Sequence, residues 1–264
     1  MEIVTSIILL LAGFLFGIIS VIAGIGGGVF FVSTMVLLFL IPINVAIDTS
    51  VFVILISSGA GFFTYFKEER LLIKQVIIFA SFSILGSITS TIIFEFIELD
   101  STILKILFAT TILIAGLNMI YKAIKSRRLD PSQEEYEKNF ILDDHDYYSN
   151  LKKSIPLFFL AGFIANLLGI GGGIINTPSL HIILNYPIHN ATAISVGIIF
   201  FTAIYNTIAK SIMGQIDYLI GVLIGLGAIL GSIFGAKISG KISRSQLQFI
   251  VAIVLMGLAI RMYF

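Results

Sequence analysis

Gly24-Ile25-Gly26-Gly27-Gly28 interrupts a long apolar run near the start of the chain, and the same five residues recur as Gly169-Ile170-Gly171-Gly172-Gly173. The two clusters lie 145 positions apart. The same spacing relates two identical segments, 84–88 and 229–233, which both read Ile-Leu-Gly-Ser-Ile. Matches at one fixed spacing along so much of the chain predict a tandem duplication, whose halves we expect to meet at the glycine clusters.

The composition is that of a membrane protein. Hydrophobic residues make up 58% of the 264 residues and charged residues only 12%, about half the charged fraction of a soluble domain. Long apolar runs with short polar gaps are typical of a polytopic helical protein, so we expect an all-α transmembrane bundle in the cell membrane. The absence of Cys excludes disulfides and thiolate metal sites, and the scattered basic residues argue against binding of nucleic acid.

Ten apolar segments are predicted, five in each half. They are 3–23, 29–41, 45–66, 71–94 and 101–121, then 154–168, 174–186, 191–213, 216–236 and 246–264. The second of each set lies between glycines and a proline and is too short for the ~20 residues that a spanning helix needs. We therefore predict short or broken helices there, which either span or re-enter the membrane. Such interrupted segments at matching places in two halves indicate the binding site of a transporter.

Charge divides the chain into a first repeat (1–121), a charged linker (122–153) and a second repeat (154–264). Lys and Arg are concentrated in the 67–74 and 237–244 loops, whereas acidic residues dominate the 95–105 loop. Because the bias changes sign between matching loops, we predict that the two repeats are inverted. The positive-inside rule then places the linker in the cytoplasm and both termini outside. Faces of small residues permit a homodimer without requiring one.

The glycine clusters are predicted to bind an anion. Glycine adopts backbone angles that other residues avoid, and bare N–H groups within hydrocarbon need protein or a watery cavity to satisfy them. The helix that follows each cluster adds its free N–H groups and the positive end of its dipole. We expect a small oxyanion between the two helix starts, bound by Gly26, Gly27, Gly28, Gly171, Gly172 and Gly173.

Polar side chains near these clusters are further candidates, since polar residues within spans tend to face the bundle interior. The candidates for contact with the anion are Asn166, Asn176, Thr177, Ser33, Thr34, Ser50 and Ser195. The alternative for each hydroxyl is a bond to its own helix. His181 is a candidate for proton coupling or a packing residue, and Asp48 is a second coupling candidate placed near the membrane interface. No cofactor and no metal are expected. Other glycines, among them Gly13, Gly17 and Gly231, are predicted to serve close helix packing.

The doubled glycine motif resembles that of the sulfite exporter TauE/SafE family of membrane permeases. The residues that carry the resemblance are Gly24–Gly28 with Pro42, Ala46, Thr49 and Ser50, and Gly169–Gly173 with Pro178, Leu180, Pro187, Ala191 and Ser195. The family's Pro-x-Leu is present as Pro178-Ser179-Leu180, whereas the first half has Ser33-Thr34-Met35. The resemblance implies transport of sulfite, an organosulfonate or thiosulfate.

Three functions remain open at this level. The first is secondary transport of a small sulfur-containing anion, driven by a proton gradient or the membrane potential. The second is an anion channel, because paired glycine breaks also line pores. The third is a membrane-embedded enzyme, which requires a nucleophile–base pair or metal cluster that the spacing of His181 and His189 does not supply. Direction of transport, the coupling ion and the exact anion are not readable from the sequence.

Overall fold

A computed structural model describes residues 3–97, 99–126, 141–142, 145–146, 148–213, 216–239 and 244–263. In this part of the chain all regular structure is helical, as predicted. The elements are α1 (Ile3–Ala23), α2 (Gly28–Phe39), α3 (Ile43–Lys67), α4 (Ile73–Phe96), α5 (Ser101–Ser126), α6 (Tyr148–Leu168), α7 (Gly173–Pro178), a π-helical segment (Ser179–Ile183), α8 (Ile188–Met213), α9 (Tyr218–Ile238) and α10 (Arg244–Tyr263).

The surface and the helix lengths are those of a multi-pass membrane protein. Among the described residues, seven helices are long and apolar enough to cross a bilayer, while α2 and 251–263 are apolar but shorter. Large apolar side chains such as Leu15, Leu85, Leu230 and Phe234 are more than half exposed. Side chains of this kind are stable at a helix surface that faces lipid rather than water.

Two ends of the bundle can be defined from α3, which is 25 residues or about 37 Å long. One end, here the Asp100 end, holds the start of α3 and the start of α9, because Asp217 N–H donates to Thr49 Oγ1 at 2.9 Å. The other, the Arg70 end, holds the chain after α3 and after α9, because Arg70 Nη1 donates to Ser239 Oγ at 2.7 Å. The two basic loops, 67–74 and 237–244, therefore both begin at the Arg70 end of the bundle.

Each short helix turns back toward the end of the bundle from which the preceding helix came. α1 runs beside α9 in the same direction, with Gly13 against Ile224 and Gly17 against Ala228, and α2 leads back to the start of α3 at the Asp100 end. The chain before α6 and the chain after α7 meet, because His145 Nε2 lies 2.7 Å from Leu184 O. They lie at the Arg70 end, because Asn190 Nδ2 at the start of α8 donates to Arg70 O at 3.1 Å. The two helical hairpins, α1–α2 and α6–α7, thus begin at opposite ends of the bundle.

Glycine lets neighbouring helices approach to backbone contact. A Cβ on Gly231 of α9 would overlap Phe14 O of α1, and a Cβ on Gly86 of α4 would overlap Phe159 O of α6. Gly86 and Gly231 are 145 positions apart, and so are Phe14 and Phe159. The packing role predicted for Gly13, Gly17 and Gly231 is confirmed, and matching pairs of helices use matching residues.

The two hairpins differ in their returning arm. Pro178 lacks an N–H group and cannot continue a regular α-helix, and the chain widens into the π-helical segment immediately after it. In the first half Ser33 stands at the matching position, and α2 continues without a break. Most of the predicted linker, 127–140, lies outside the described residues, while its two ends belong to α5 and α6.

Candidate functional site

The two glycine clusters form loops that cross each other in the middle of the bundle. The first loop is Gly24–Gly27 and the second is Gly169–Gly172; both are buried. Gly26 and Gly27 have φ values of 95° and 74°, and Gly171 and Gly172 have 82° and 72°. This left-handed region is costly for residues that carry a Cβ. The predicted glycine breaks are therefore present as non-helical backbone.

The crossing is held by reciprocal contacts between the halves. Ser50 Oγ lies within donor distance of two carbonyls, Gly169 O at 2.8 Å and Ile47 O of its own helix at 2.7 Å. Ser195 Oγ donates to Gly24 O at 2.9 Å. Thr177 Oγ1 also donates to Gly24 O at 2.9 Å. Three of the predicted anion contacts are thus used to fix the loops to each other, because a hydroxyl that donates its single proton to a carbonyl has none for an anion.

Backbone N–H groups remain free at this crossing. Helices α2 and α7 start at Gly28 and Gly173, capped by Gly27 and Gly172 without any side-chain hydrogen bond. Within the described residues no hydrogen bond reaches the N–H groups of 26–29 or of 171–174. A buried donor without a partner costs about 1–3 kcal/mol, so a run of them calls for water or an anion.

Little space is present at the crossing itself. A Cβ on Gly26 would come within 3.2 Å of Gly171 Cα, so the loops are in direct contact. A cavity of about 10 Å³ lies beside Gly171, lined by groups that include Thr202 and Asn206. That volume admits about one water molecule, whereas we expected an oxyanion between the helix starts. In this conformation the crossing is too tight for one.

A larger cavity opens one helical turn away. It measures about 320 Å³, space for roughly ten water molecules at ~30 Å³ each. Its polar lining is Asn44, Asp48, Ser90, Thr91, Asn166 and Lys210. Exposed residues at its rim, Asn44 and Ile97, belong to the Asp100 end, so the cavity opens at that end. We call it the Lys210 cavity.

An ion pair lies in the wall of the Lys210 cavity. Lys210 Nζ of α8 is 2.8 Å from Asp48 Oδ1 of α3, and the side chains are 17% and 4% exposed. Asp48 is buried and paired near the start of α3, and its position near the membrane interface stays a prediction. The pair forms because the first turns of α3 pack against the last turns of α8, as Thr207 Oγ1 and Val51 O also show at 3.4 Å.

The Lys210 cavity leads toward the second loop. Asn206 lies one turn before Lys210 on α8, Ala165 directly precedes Asn166 on α6, and Asn206 and Ala165 line the small cavity beside Gly171. Asn166 Nδ2 donates to Thr91 Oγ1 at 3.1 Å. Its Oδ1 and the Oδ1 of Asn206 are buried without a hydrogen-bond partner in the described structure.

The matching region at the Arg70 end is closed. Tyr65 and Val21 stand 145 positions before Lys210 and Asn166, and both are packed in an apolar core together with Ala193, the counterpart of Asp48. Tyr65 is fully buried and donates from its hydroxyl to Val21 O at 3.1 Å. Arg70 covers its ring, with the guanidinium carbon 4.8 Å from the ring centre.

The remaining predicted residues are near the loops but have separate surroundings. Asn176 is 1% exposed, and neither polar atom of its side chain has a described partner. Thr34 donates to Phe30 O of its own helix at 2.7 Å, which is the alternative to contact with an anion. Ser33 Oγ is buried without a described partner. His181 Nδ1 lies 2.8 Å from Tyr186 O, so that nitrogen is engaged with the backbone.

Sequence reasoning counted Lys210 only among the polar residues that could line a cavity and did not pair it with Asp48. A signal was present, because Lys210 and Asp48 are opposite charges inside apolar runs, and charges within spans tend to pair. Ser90 and Thr91 had no such signal, since hydroxyls are frequent in membrane helices and bond their own backbone.

Comparison with known proteins identifies the family. The family model "Sulfite exporter TauE/SafE" matches residues 9–262. "Probable membrane transporter protein MJ0441" of Methanocaldococcus jannaschii is 34% identical over 205 residues, covering 75% of this chain and 69% of that protein. "Probable membrane transporter protein YunE" of Bacillus subtilis is 26% identical over 223 residues, covering 81% of each chain. No solved structure matches. The chain belongs to the sulfite exporter TauE/SafE family of membrane transporters.

Proposed function

We propose that this protein is a secondary transporter that moves a small sulfur-containing anion, such as sulfite, an organosulfonate or thiosulfate, across the cell membrane. The observation that carries the proposal is the Lys210 cavity, a polar space inside an apolar bundle that leads from one end toward free backbone N–H groups. A lysine and unpaired amide donors suit an anion rather than a cation. The name of the family supplies the sulfur chemistry.

The free N–H groups at Gly171–Ile174 and at Gly26–Val29 form the inner binding site in this proposal. The loops touch in the described conformation, so the anion reaches these groups only when the loops separate. A site that must open to be occupied favours a carrier with alternating conformations. The buried Tyr65 beyond the crossing supports the same view, because an open channel needs a continuous path.

The inverted repeat is part of the proposal. It is supported by hairpins that begin at opposite ends and by the reciprocal bonds of Ser50 and Ser195, which are 145 positions apart. The Arg70 end carries Lys67, Arg70 and Lys74, and the positive-inside rule assigns it to the cytoplasm. The described conformation then opens its cavity to the outside, and the linker is cytoplasmic.

Transport in proteoliposomes tests the function. We expect uptake of labelled sulfite that saturates with concentration and is inhibited by thiosulfate. Flux that rises linearly without saturation would favour the channel, and flux equal to that of protein-free vesicles would contradict anion transport altogether.

A matched pair of variants ties the flux to the loops. Gly172→Leu places a side chain at a φ of 72°, with its Cβ 2.8 Å from Ala161 O, whereas a Cβ at Gly257 of α10 meets nothing within 4 Å. We expect Gly172→Leu to abolish uptake and Gly257→Leu to retain it. Equal uptake in both would remove the second loop from the mechanism.

A further inference from the structure

We propose that Lys210 is the counter-ion of the transported anion and that the Asp48 carboxylate takes the anion's place beside Lys210 when the cavity is empty. The binding of one negative charge beside Lys210 is then accompanied by one proton on Asp48. This inference deepens the proposed function and rests on it. It assigns a binding site to the Lys210 cavity, distinct from the glycine loops, and identifies the coupling ion as the proton.

The geometry leaves Lys210 available to a ligand. Its ammonium group has three donors, and Asp48 Oδ1 at 2.8 Å is its one hydrogen-bond or ion-pair partner among the described residues. The ammonium lines a cavity of about 320 Å³ together with Asn166 and Ser90. Two donors can therefore point at an anion in that space.

Unpaired polar atoms surround the same space. Ser90 is 0% exposed and Asn166 is 3% exposed, and Ser90 Oγ and Asn166 Oδ1 have no described partner. Buried polar atoms in native proteins are nearly always satisfied. Both atoms are closed off from solvent in this conformation, so the cavity wall must shift before the Ser90 hydroxyl can donate to an oxyanion and Asn166 Oδ1 can accept from a water that hydrates it.

The matching site at the Arg70 end shows what these residues add. Where the first site has Asp48, Asn166 and Lys210, the second has Ala193, Val21 and Tyr65, and it is packed without a comparable polar lining. A purely structural ion pair would not require a cavity of this size. The charges are thus associated with the open space rather than with the fold that both halves share.

The charges balance. The empty site holds Lys210 as ammonium and Asp48 as carboxylate, with no net charge. A proton from solvent converts the carboxylate to the neutral acid, which releases the ammonium, and a monovalent anion restores neutrality. Together the Lys210 ammonium, the protonated Asp48 and the bound anion carry no net charge, and burying a neutral set of groups costs far less free energy than burying an isolated charge.

Few other charged groups face Asp48. Lys210 approaches from α8, and Asp217 lies before α9, where its N–H bonds Thr49 and its carboxylate accepts from Ile220 N at 3.1 Å. The described cavity lining from α4, α5 and α6 contains no further ionisable residue, and Glu98 lies outside the described residues. Asp48 is therefore the group whose protonation we expect to control sulfite binding.

Sulfite binding to the purified full-length protein in detergent, measured calorimetrically from mildly acidic to mildly alkaline buffer, tests this. Asp48→Asn mimics the protonated acid. Sulfite takes up a proton itself in this range, but that contribution is common to both proteins and cancels in the ratio of their Kd values. We expect the ratio of wild type to Asp48→Asn to rise by at least about tenfold as pH increases, because the wild-type carboxylate competes for Lys210.

A second arm removes the cation. Lys210→Met alone leaves a buried carboxylate unpaired and endangers folding, so the variant is Asp48→Asn combined with Lys210→Met. We expect it to fold and to bind sulfite at least about tenfold more weakly than Asp48→Asn. Lys74→Met, an exposed cation at the Arg70 end, serves as control and leaves the Kd unchanged.

The outcomes separate the two proposals. A flat Kd ratio, or a double variant that binds like Asp48→Asn, overturns the role of Lys210 and Asp48 while leaving anion transport in place. Absence of sulfite binding and of sulfite uptake in the wild type overturns both. A pH-dependent ratio together with a weakened double variant supports the inference.

Discussion

Adding a methyl group at the loop crossing should destabilise the protein strongly, although alanine favours a helix. A Cβ on Gly28 would overlap Gly169 O and lie 2.8 Å from Ile170 Cα; a Cβ on Gly173 would overlap Gly24 O and lie 2.7 Å from Ile25 Cα. These neighbours are backbone atoms, so they cannot move aside as a flexible side chain would. Neither glycine has a positive φ, and the effect is therefore steric contact alone.

The magnitude follows from known overpacking costs. Forcing a methyl group into a filled core costs about 1–3 kcal/mol, which is large beside a total stability of about 5–15 kcal/mol. Gly257→Ala is the matched control, because a Cβ there meets nothing within 4 Å and the change should gain about 0.5–1 kcal/mol in helix propensity. Since one kcal/mol shifts Tm by about 2–4 °C in a chain of this size, the combined difference of about 1.5–4 kcal/mol should make Gly28→Ala melt about 3–16 °C below Gly257→Ala.

Loss of helical circular dichroism on heating in detergent micelles measures these shifts without relying on tryptophan, which the chain lacks. Gly28→Ala and Gly173→Ala press on the same crossing, so the double variant should lose less than the sum of the single losses. A Gly28→Ala protein as stable as Gly257→Ala would refute the direct contact of the two loops.

Three further predictions concern other parts of the bundle. Ser50→Ala and Ser195→Ala each remove a hydroxyl bond to the opposite loop and should each cost about 0.5–1.5 kcal/mol; thermal melting that shows no cost for either would contradict the reciprocal bonding. Arg70→Met removes the bond to Ser239 and the cation over the Tyr65 ring, and it should lower Tm. The control Glu68→Gln breaks only a surface ion pair of 3.4 Å and should change stability by less than about 1 kcal/mol. Equal effects of the two variants in thermal melts would argue against the closed Arg70 end. Because the chain has no Cys, Asp100→Cys should react with a membrane-impermeant maleimide in intact cells and Lys74→Cys only after permeabilisation, and the reverse pattern would place the mouth of the Lys210 cavity in the cytoplasm.

The sequence was most informative about the loops. Glycine at 26, 27, 171 and 172 indicated a helix break because few other residues accept a positive φ, and these positions do have one. The direction of the chain after each break was not predictable: a segment as short as α2 can cross half a membrane either way. That direction depends on the helices against which α2 and α7 pack, and such contacts leave little trace in one sequence.

The site was predicted only in part. Ser50, Ser195 and Thr177 were correctly placed near the loops, but a residue type does not tell whether a hydroxyl donates to a carbonyl or to a ligand. The Lys210 cavity depends on the meeting of α3, α6 and α8. Tyr65 occupies the matching place in the other half. That Tyr65 is packed in a closed core whereas Lys210 lines an open cavity becomes visible only in the packed structure.

Determination of a density map of the protein with bound sulfite, in a lipid nanodisc, tests the central claim most directly. The account predicts an anion within hydrogen-bond distance of the free N–H groups of Gly171–Ile174, with the two loops separated enough to admit it. Sulfite bound away from both these N–H groups and the Lys210 cavity would contradict the account, because neither the backbone freed by glycine nor the cavity that leads to it would then capture the transported anion.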